Sequence, residues 1–261
     1  MDRLENSLFD MTGLRALVTG SSRGIGRATA ERFAQHGAQV VVSGRKIGPA
    51  EETAAAINAT FGRPAAQAVA ANIADRDSLA ALIDESVRIM GGIDVLVCNA
   101  AIHPYVGPAM ETPDSVMRKM MDANVMGNHW LCQMVLPGMA DRGFGRIVMV
   151  SSIAGHMGSG TFYSYSISKA ADMEMARCLA AEYGARNIRV NVIAPGTVKT
   201  SMAAAVMNDE ALMRREMRRN TTGRLGEPDG SAGVAVMLAA PAGAYLNGQV
   251  IDVDDGFIMS Y

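Results

Sequence analysis

Leu14-Arg15-Ala16-Leu17-Val18-Thr19-Gly20-Ser21-Ser22-Arg23-Gly24-Ile25-Gly26 is the stretch whose reading decides the fold. Leu14–Thr19 is a short apolar run that reads as a buried strand, and a helical pattern follows the glycines to about His36. Glycine lets the backbone turn tightly and approach a pyrophosphate, while a helix N-terminus offers free N–H groups and a favourable dipole to it. The spacing differs from the usual Gly-x-Gly-x-x-Gly, and such a cluster alone signals only a turn. Between a strand and a helix, at the head of an alternating chain, it points to a dinucleotide.

The alternation continues outward. Ala38–Ser43, Ala65–Ala71, Ile93–Cys98, Arg146–Ser151, Ile188–Ile193 and Gln249–Val253 read as further strands. Helical patterns cover about Ala50–Thr60, Asp75–Met90, Ser115–Leu136, Tyr163–Gly184, Met202–Arg219 and Pro228–Leu238. Near-continuous apolar strands alternating with helices mean a parallel sheet covered on both faces. No linker rich in proline or serine divides the chain, and no repeat occurs. The expected fold is α/β: one doubly wound domain over 1–261, with a seven-stranded parallel sheet and helices on both faces.

A hydrophobic content of 49% and a formal net charge of −2 fit a soluble globular protein. They give no electrostatic case for nucleic acid or an anionic membrane. Ser231–Leu246, the longest uncharged run, is too short to span a bilayer and contains Pro241. Met1–Met11 has acids and no apolar run, so it does not read as a signal peptide. Cys98, Cys132 and Cys178 lack Cys-x-x-Cys spacing and suggest neither a disulfide framework nor a metal site. A cytoplasmic enzyme is the default expectation.

A second stretch carries chemistry. Gly145–Ser151 leads to Ser152 at the carboxyl end of a strand, a glycine-rich loop follows, and a helix starts near Tyr163. On that helix Tyr165 and Lys169 are four apart and share a face. A phenol is a poor acid or base near neutrality, with an ordinary pKa of about 10. An ammonium one turn away favours the phenolate. A serine hydroxyl can donate and accept, so Ser152 could hold a substrate oxygen beside the tyrosine. Tyr-x-x-x-Lys alone is a common surface pair; Tyr163, whose fourth neighbour is Ile167, has no such partner.

Together these stretches resemble the short-chain dehydrogenase/reductase family in its classical form, over about Leu8–Gly256. The family's Thr-Gly-x-x-x-Gly-x-Gly matches Thr19–Gly26, its Asn-Asn-Ala-Gly matches Cys98-Asn99-Ala100-Ala101, and its helical asparagine matches Asn124. Ser152 precedes Tyr165 by the family's own thirteen residues, and Ile188–Gly196 resembles the segment beside the nicotinamide. The resemblance implies a Rossmann-type oxidoreductase that passes hydride between nicotinamide and a ketone or secondary alcohol, without metal. Tyr165 would be the general acid or base and Ser152 would polarise the substrate oxygen. Lys169 would assist the tyrosine and bind ribose, and Asn124 would hold a water on a proton path. Gly20, Ser22, Arg23, Gly24, Ile25, Gly26, Asn72, Ile73, Asn99, Ala100, Pro195, Gly196, Val198 and Thr200 would line the cofactor, with Tyr165 and Lys169. Residues 198–220 would form a substrate lid.

Departures bear on cofactor and substrate. Gly44 stands where an aspartate selecting NAD would be, Arg45 follows, and Arg23 should face it. NADP(H) is therefore favoured, with NAD(H) possible. Ala101 replaces a glycine, Asn72 an aspartate, and Asp254-Asp255-Gly256 the usual Asp-Gly-Gly. Asp255 could alter the terminal turn or a subunit contact. His103, His156 and Met202 are candidate substrate contacts beside Ser152 and Tyr165, although each histidine also reads as a surface residue. Met117, Met120, Met121, Met126, Trp130 and Met134 read as helix packing, whereas the lid methionines Met207, Met213 and Met217 would suit an apolar or variable substrate. Arg214, Arg215, Arg218 and Arg219 read as a solvated face or as contacts to an anionic tail.

Candidate substrates are 3-oxoacyl thioesters, sugars or keto acids, and cyclic or aryl ketones. Leu8–Gly13 and Ser43-Gly44-Arg45 are similar to gluconate 5-dehydrogenases, which keeps an NAD-dependent sugar or sugar-acid dehydrogenase open. A non-catalytic dinucleotide sensor would normally lack the tyrosine or lysine. An enoyl reductase would place six residues between them, and extended-branch epimerases have longer chains. A homotetramer is expected, built on the helices at Ser115–Leu136 and Tyr163–Gly184 with the apolar tail Phe257–Tyr261.

Overall fold

Seven short runs rich in valine, isoleucine and leucine form one parallel sheet: β1 (Arg15–Val18), β2 (Gln39–Gly44), β3 (Ala66–Ala70), β4 (Val95–Cys98), β5 (Gly145–Val150), β6 (Ile188–Pro195) and β7 (Val250–Val253). The computed structural model describes residues 7–260, so Met1–Asn6 and Tyr261, which the leader and tail readings include, lie outside the described residues. The strand order is β3-β2-β1-β4-β5-β6-β7, and every neighbouring pair is parallel.

Each strand sends alternate side chains to opposite faces. Val18, Val40, Val42, Val95, Val97, Val148, Val150 and Ile193 pack on one side. There they meet α1 (Gly24–Gln35), α2 (Ile47–Phe61) and α9 (Pro228–Ala239) through Phe33, Ile57 and Val236. Leu17, Val41, Leu96, Ile147, Met149, Val190 and Val192 face the other way. Their partners are α3 (Arg76–Met90), α5 (Gly127–Arg142) and α6 (Tyr163–Tyr183), through Leu79, Leu131, Met139 and Met173. Replacing a fully buried leucine such as Leu131 by alanine would cost about 2–5 kcal/mol.

The expected helix over Ser115–Leu136 is interrupted. α4 (Asp114–Met120) passes into one π-helical turn, Met121–Met126, before α5 begins. Apolar spacing does not announce the turn: within it Ala123 and Asn124 are buried while Asp122 and Met126 are exposed. The stretch expected to form a lid is a short turn, Ser201–Ala203, followed by α7 (Ala204–Met207) and α8 (Glu210–Arg219). The strand order reverses between β1 and β4. That crevice at the strands' carboxyl ends is where doubly wound sheets take ligands.

Candidate active site

Contacts after β1 and β4 explain the glycines. Gly20 has φ +64°, and a Cβ there would lie 2.8 Å from the Ala100 Cα. On Gly26 it would lie 2.4 Å from Asn99 Nδ2 and 2.5 Å from the Gly20 oxygen. Asn99 braces the turn by donating from Nδ2 to the Thr19 oxygen at 2.8 Å and the Gly20 oxygen at 3.1 Å. Thr19 Oγ1 returns the tie, accepting from the Asn99 and Ala100 N–H groups at 3.0 and 3.1 Å. Ser21 Oγ accepts from the Ser43 N–H at 2.9 Å, which joins the ends of β1 and β2. α1 has no side-chain cap and no acid in its first turn. Its N–H groups and dipole therefore suit a phosphate, and the cradle fits a dinucleotide.

Other residues of that reading lie around this crevice. Gly44 is buried, with an ideal Cβ 3.1 Å from Ser22 Oγ, while Arg23 and Arg45 are exposed. Gly24 meets Thr200, whose Cγ2 would be 3.2 Å from an added Cβ. Pro195 ends β6, Gly196 packs on the Asp254 backbone, and Val198 bridges to Gly226. Asn72 is exposed and turns its carboxamide oxygen to the Ala74 N–H, at 3.3 Å. The Ile73 oxygen packs on Gly127, where a Cβ would come within 2.4 Å.

The second half of the site is built on β5 and α6. Ser152 is extended and caps a single turn, Ile153–Gly155, its Oγ accepting from the Ala154 N–H at 3.2 Å. Lys169, 2% exposed, lies on the inner face of α6. Its Nζ donates to the Val150 oxygen at 2.8 Å and to Asp172 Oδ2 at 3.0 Å, and it sits 5.8 Å from the centre of the Tyr165 ring. Burial disfavours this ammonium, but Asp172, Tyr165 and Cys98 together outweigh burial and hold it above the ordinary lysine value.

Asn124 occupies the π turn and is fully buried. Its carboxamide accepts from the Ile102 N–H at 2.8 Å and donates to the Ile102 oxygen at 3.0 Å and to Ser168 Oγ at 3.1 Å. Ser168 Oγ donates in turn to the Tyr165 carbonyl at 2.8 Å. Asn124 thus ties the loop after β4 to the helix carrying Tyr165 and Lys169.

His103 is not a surface side chain. Its ring stacks on Tyr165, with centroids 4.5 Å apart, and meets the edge of Phe162 at 5.1 Å. Burial lowers its pKa, against a hydrogen bond with the Tyr105 backbone. His156 instead pairs Nε2 with Asp252 Oδ1 at 2.9 Å, toward β7. Met202, in the turn Ser201–Ala203, is 52% exposed. Arg214 pairs with Glu210 along exposed α8, and Arg219 stacks on Phe257 at 3.8 Å. An open hollow lined by Gly24, Thr200, Met207 and Glu227 borders the glycine turn and does not include Tyr165.

Asp172 escapes a reading by motif, and the partners of the departure at Asp255 emerge only in the structure. Asp172, beneath Lys169, accepts from Asn128 Nδ2 at 2.9 Å; an acid three residues after the lysine, amid apolar positions, is its only signal. Asp255, at φ +54°, holds the segment after α8. Its Oδ2 accepts from the Thr222 N–H at 3.0 Å and Oγ1 at 2.6 Å, and its Oδ1 from Thr221 Oγ1 at 3.0 Å. Of the two readings of this departure, the terminal turn is where these contacts fall.

A glycine turn at the switch point that suits a dinucleotide, together with a Tyr-x-x-x-Lys pair near the head of α6, is the pattern of a Rossmann-type nicotinamide-dependent oxidoreductase. The family model described as enoyl-(acyl carrier protein) reductase matches residues 20–258. Human dehydrogenase/reductase SDR family member 4 is 37% identical over 244 residues, covering 92% of this chain and 86% of its own. A Sinorhizobium meliloti protein assigned as a short-chain alcohol dehydrogenase superposes with TM-score 0.92 at 36% identity, over 98% of this chain and 100% of that one. A gluconate 5-dehydrogenase from Burkholderia cenocepacia, in complex with NADP and tartrate, does so with TM-score 0.91 at 31% identity, over 96% and 97%. The chain belongs to the short-chain dehydrogenase/reductase family. Among the described residues, no helix is long and apolar enough to cross a membrane.

Proposed function

We propose that this protein is an NADP(H)-dependent oxidoreductase acting on a ketone or secondary alcohol, with Tyr165 as general acid in reduction and general base in oxidation. The observation carrying this reading is the buried Lys169 ammonium, pinned by the Val150 oxygen and Asp172 beside the Tyr165 ring. A bound nicotinamide dinucleotide supplies or accepts the hydride. The chain's own residues manage the proton. Ser152 Oγ holds the substrate oxygen, Tyr165 gives that oxygen its proton, and the Lys169 charge favours the phenolate left behind. Asn124 positions the proton path behind Lys169.

NADP(H) is favoured because Gly44 presents no carboxylate to repel a 2′-phosphate, while Arg23 and Arg45 stand exposed around that turn. The Burkholderia gluconate 5-dehydrogenase, bound to NADP, supports this choice and the sugar-acid reading of the substrate. Met202 and His103 are candidate substrate contacts, with 198–220 as the lid. A homotetramer in the cytoplasm completes the proposal.

The test is a panel of ketones, 3-oxoacyl thioesters, keto acids and sugar acids, read by absorbance of the reduced cofactor. An enoyl thioester belongs in the panel because of the matching family model's description. Turnover of a carbonyl with NADPH, at kcat/KM more than about tenfold above NADH, is expected. Turnover of the enoyl thioester alone would overturn the carbonyl reading, and a preference for NADH would overturn the cofactor assignment.

A further inference from the structure

Lys169 and Asp172 form an ion pair with no access to solvent, since their side chains are 2% and 0% exposed. Sequestering two charges is costly unless their hydrogen bonds are satisfied, and here they are. Lys169 Nζ reaches both the Val150 oxygen and Asp172 Oδ2, while Asp172 Oδ1 takes the Asn128 amide across from α5. The contacts join β5, α5 and α6, so the pair cannot shift without moving three elements.

We infer that Asp172 is a positioning residue that fixes the Lys169 ammonium beneath Tyr165 and sets the pH range in which Tyr165 exchanges its proton. The inference rests on the proposed role of Tyr165. Its logic is the net charge of a closed site. With Asp172 and Lys169 both ionised, the pocket is neutral while Tyr165 holds its proton and carries one negative charge once the proton leaves. Without the carboxylate the same step takes the pocket from one positive charge to neutral, which is easier in a poorly solvated site.

The other groups facing the pair are few. Cys98 of β4 approaches it and is held well above the ordinary thiol value, first by its contact with Cys132 of α5 and then by burial. The Cys98 thiol therefore stays neutral. His103 stacks on the far side of Tyr165, and burial favours its neutral form. Asn124 and Ser168 are uncharged. Among the described residues Asp172 is the carboxylate that contacts Lys169; burial pushes its pKa up, while the Lys169 ammonium and the Asn128 amide favour its ionised form.

The experiment is an ultraviolet difference titration of the cofactor-free protein, following phenolate absorbance and subtracting the same titration of Tyr165→Phe. Asp172→Asn keeps the shape and removes the charge. It should move the phenolate of Tyr165 to lower pH by about one to two units, the Coulomb effect of one charge several ångströms away at intermediate dielectric. Asp172→Ser also removes the charge but leaves a hydroxyl for Lys169, and should move the phenolate the same way. It also provides the answer if Asp172→Asn does not fold. A phenolate that stays in place or moves to higher pH in the folded variants overturns the inference. Because no substrate or turnover is involved, that result is separate from failure of the oxidoreductase reading, which the carbonyl panel tests.

Discussion

The two walls of the candidate site are built in opposite ways. The wall formed after β1, β4 and β5 is buried and cross-braced: Asn99, Thr19, Ser21, Asn124 and Lys169 each bond to backbone of another element. The stretch proposed as the lid, 198–220, has mostly exposed α8 side chains, and its ties to other segments lie mainly near its ends, at Val198 to Gly226, Lys199 to Glu227 and Arg219 to Phe257, with Glu216 to Thr197 between them. Groups that move a proton must be held in place beforehand. A segment that admits different substrates must open, and it is drawn from the less stable part of a structure.

If that contrast holds, substitutions in the wall affect kcat or folding, and those in the lid affect KM. The largest effect is expected at Tyr165. Tyr165→Phe should lower kcat by ~10²–10⁴-fold with cofactor affinity nearly unchanged, as removal of a general acid does. Steady-state kinetics beside a cofactor titration would check it, and retention of more than about a tenth of kcat would contradict the assignment.

Gly26→Ala should come next. Its new Cβ meets Asn99 Nδ2 and the Gly20 oxygen at 2.4 and 2.5 Å, so the brace must shift. Overpacking of this kind costs about 1–3 kcal/mol. Thermal melts should show the loss, whereas exposed Arg215→Ala on the lid should stay within about 0.5 kcal/mol. Equal losses at the two positions would erase the contrast.

Asp255→Ala removes three side-chain acceptor contacts and places alanine at φ +54°, where Asp and Asn are better tolerated. KM should rise several-fold, by loss of about 1 kcal/mol of lid ordering, with kcat little changed. Asp255→Asn should recover part of that loss. A fall in kcat at constant KM would mean that Asp255 acts on the wall instead.

The smallest effect concerns acid stability. His103 has its pKa lowered on folding, so the unfolded chain binds its proton more readily than the native one as pH falls through the ordinary histidine range. Stability from this group is present above that range and is lost as pH drops below it. In His103→Phe, denaturant unfolding between about pH 5 and 7 should depend less on pH than in the parent. An unchanged slope would show that His103 ionises alike in both states.

Much of this plan is legible in the sequence because it is local. Unbroken apolar runs such as Val40–Val42 and Val95–Cys98 are what strands buried on both faces need, and all seven strands emerge within a few residues of their ends. The glycine turn and Tyr165 with Lys169 have fixed spacings. What stays hidden depends on distant partners. Asn128 and Asp172 are 44 residues apart and meet only after α5 and α6 pack. His103 reads as a surface residue until Tyr165 is seen to stack on it. The π turn at Asn124 answers to the Ile102 backbone, which no periodicity announces.

The central claim is that hydride passes directly between a nicotinamide and a carbonyl carbon while this chain handles the proton. It is tested most directly with NADPH carrying deuterium at its reactive carbon, incubated with the best ketone of the panel, and mass spectrometry of the alcohol formed. The account predicts one deuterium on the new carbinol carbon, from one of the two faces of the nicotinamide only, and almost no product with Tyr165→Phe. Alcohol formed without deuterium from either face, or formed equally well by the phenylalanine variant, would contradict it.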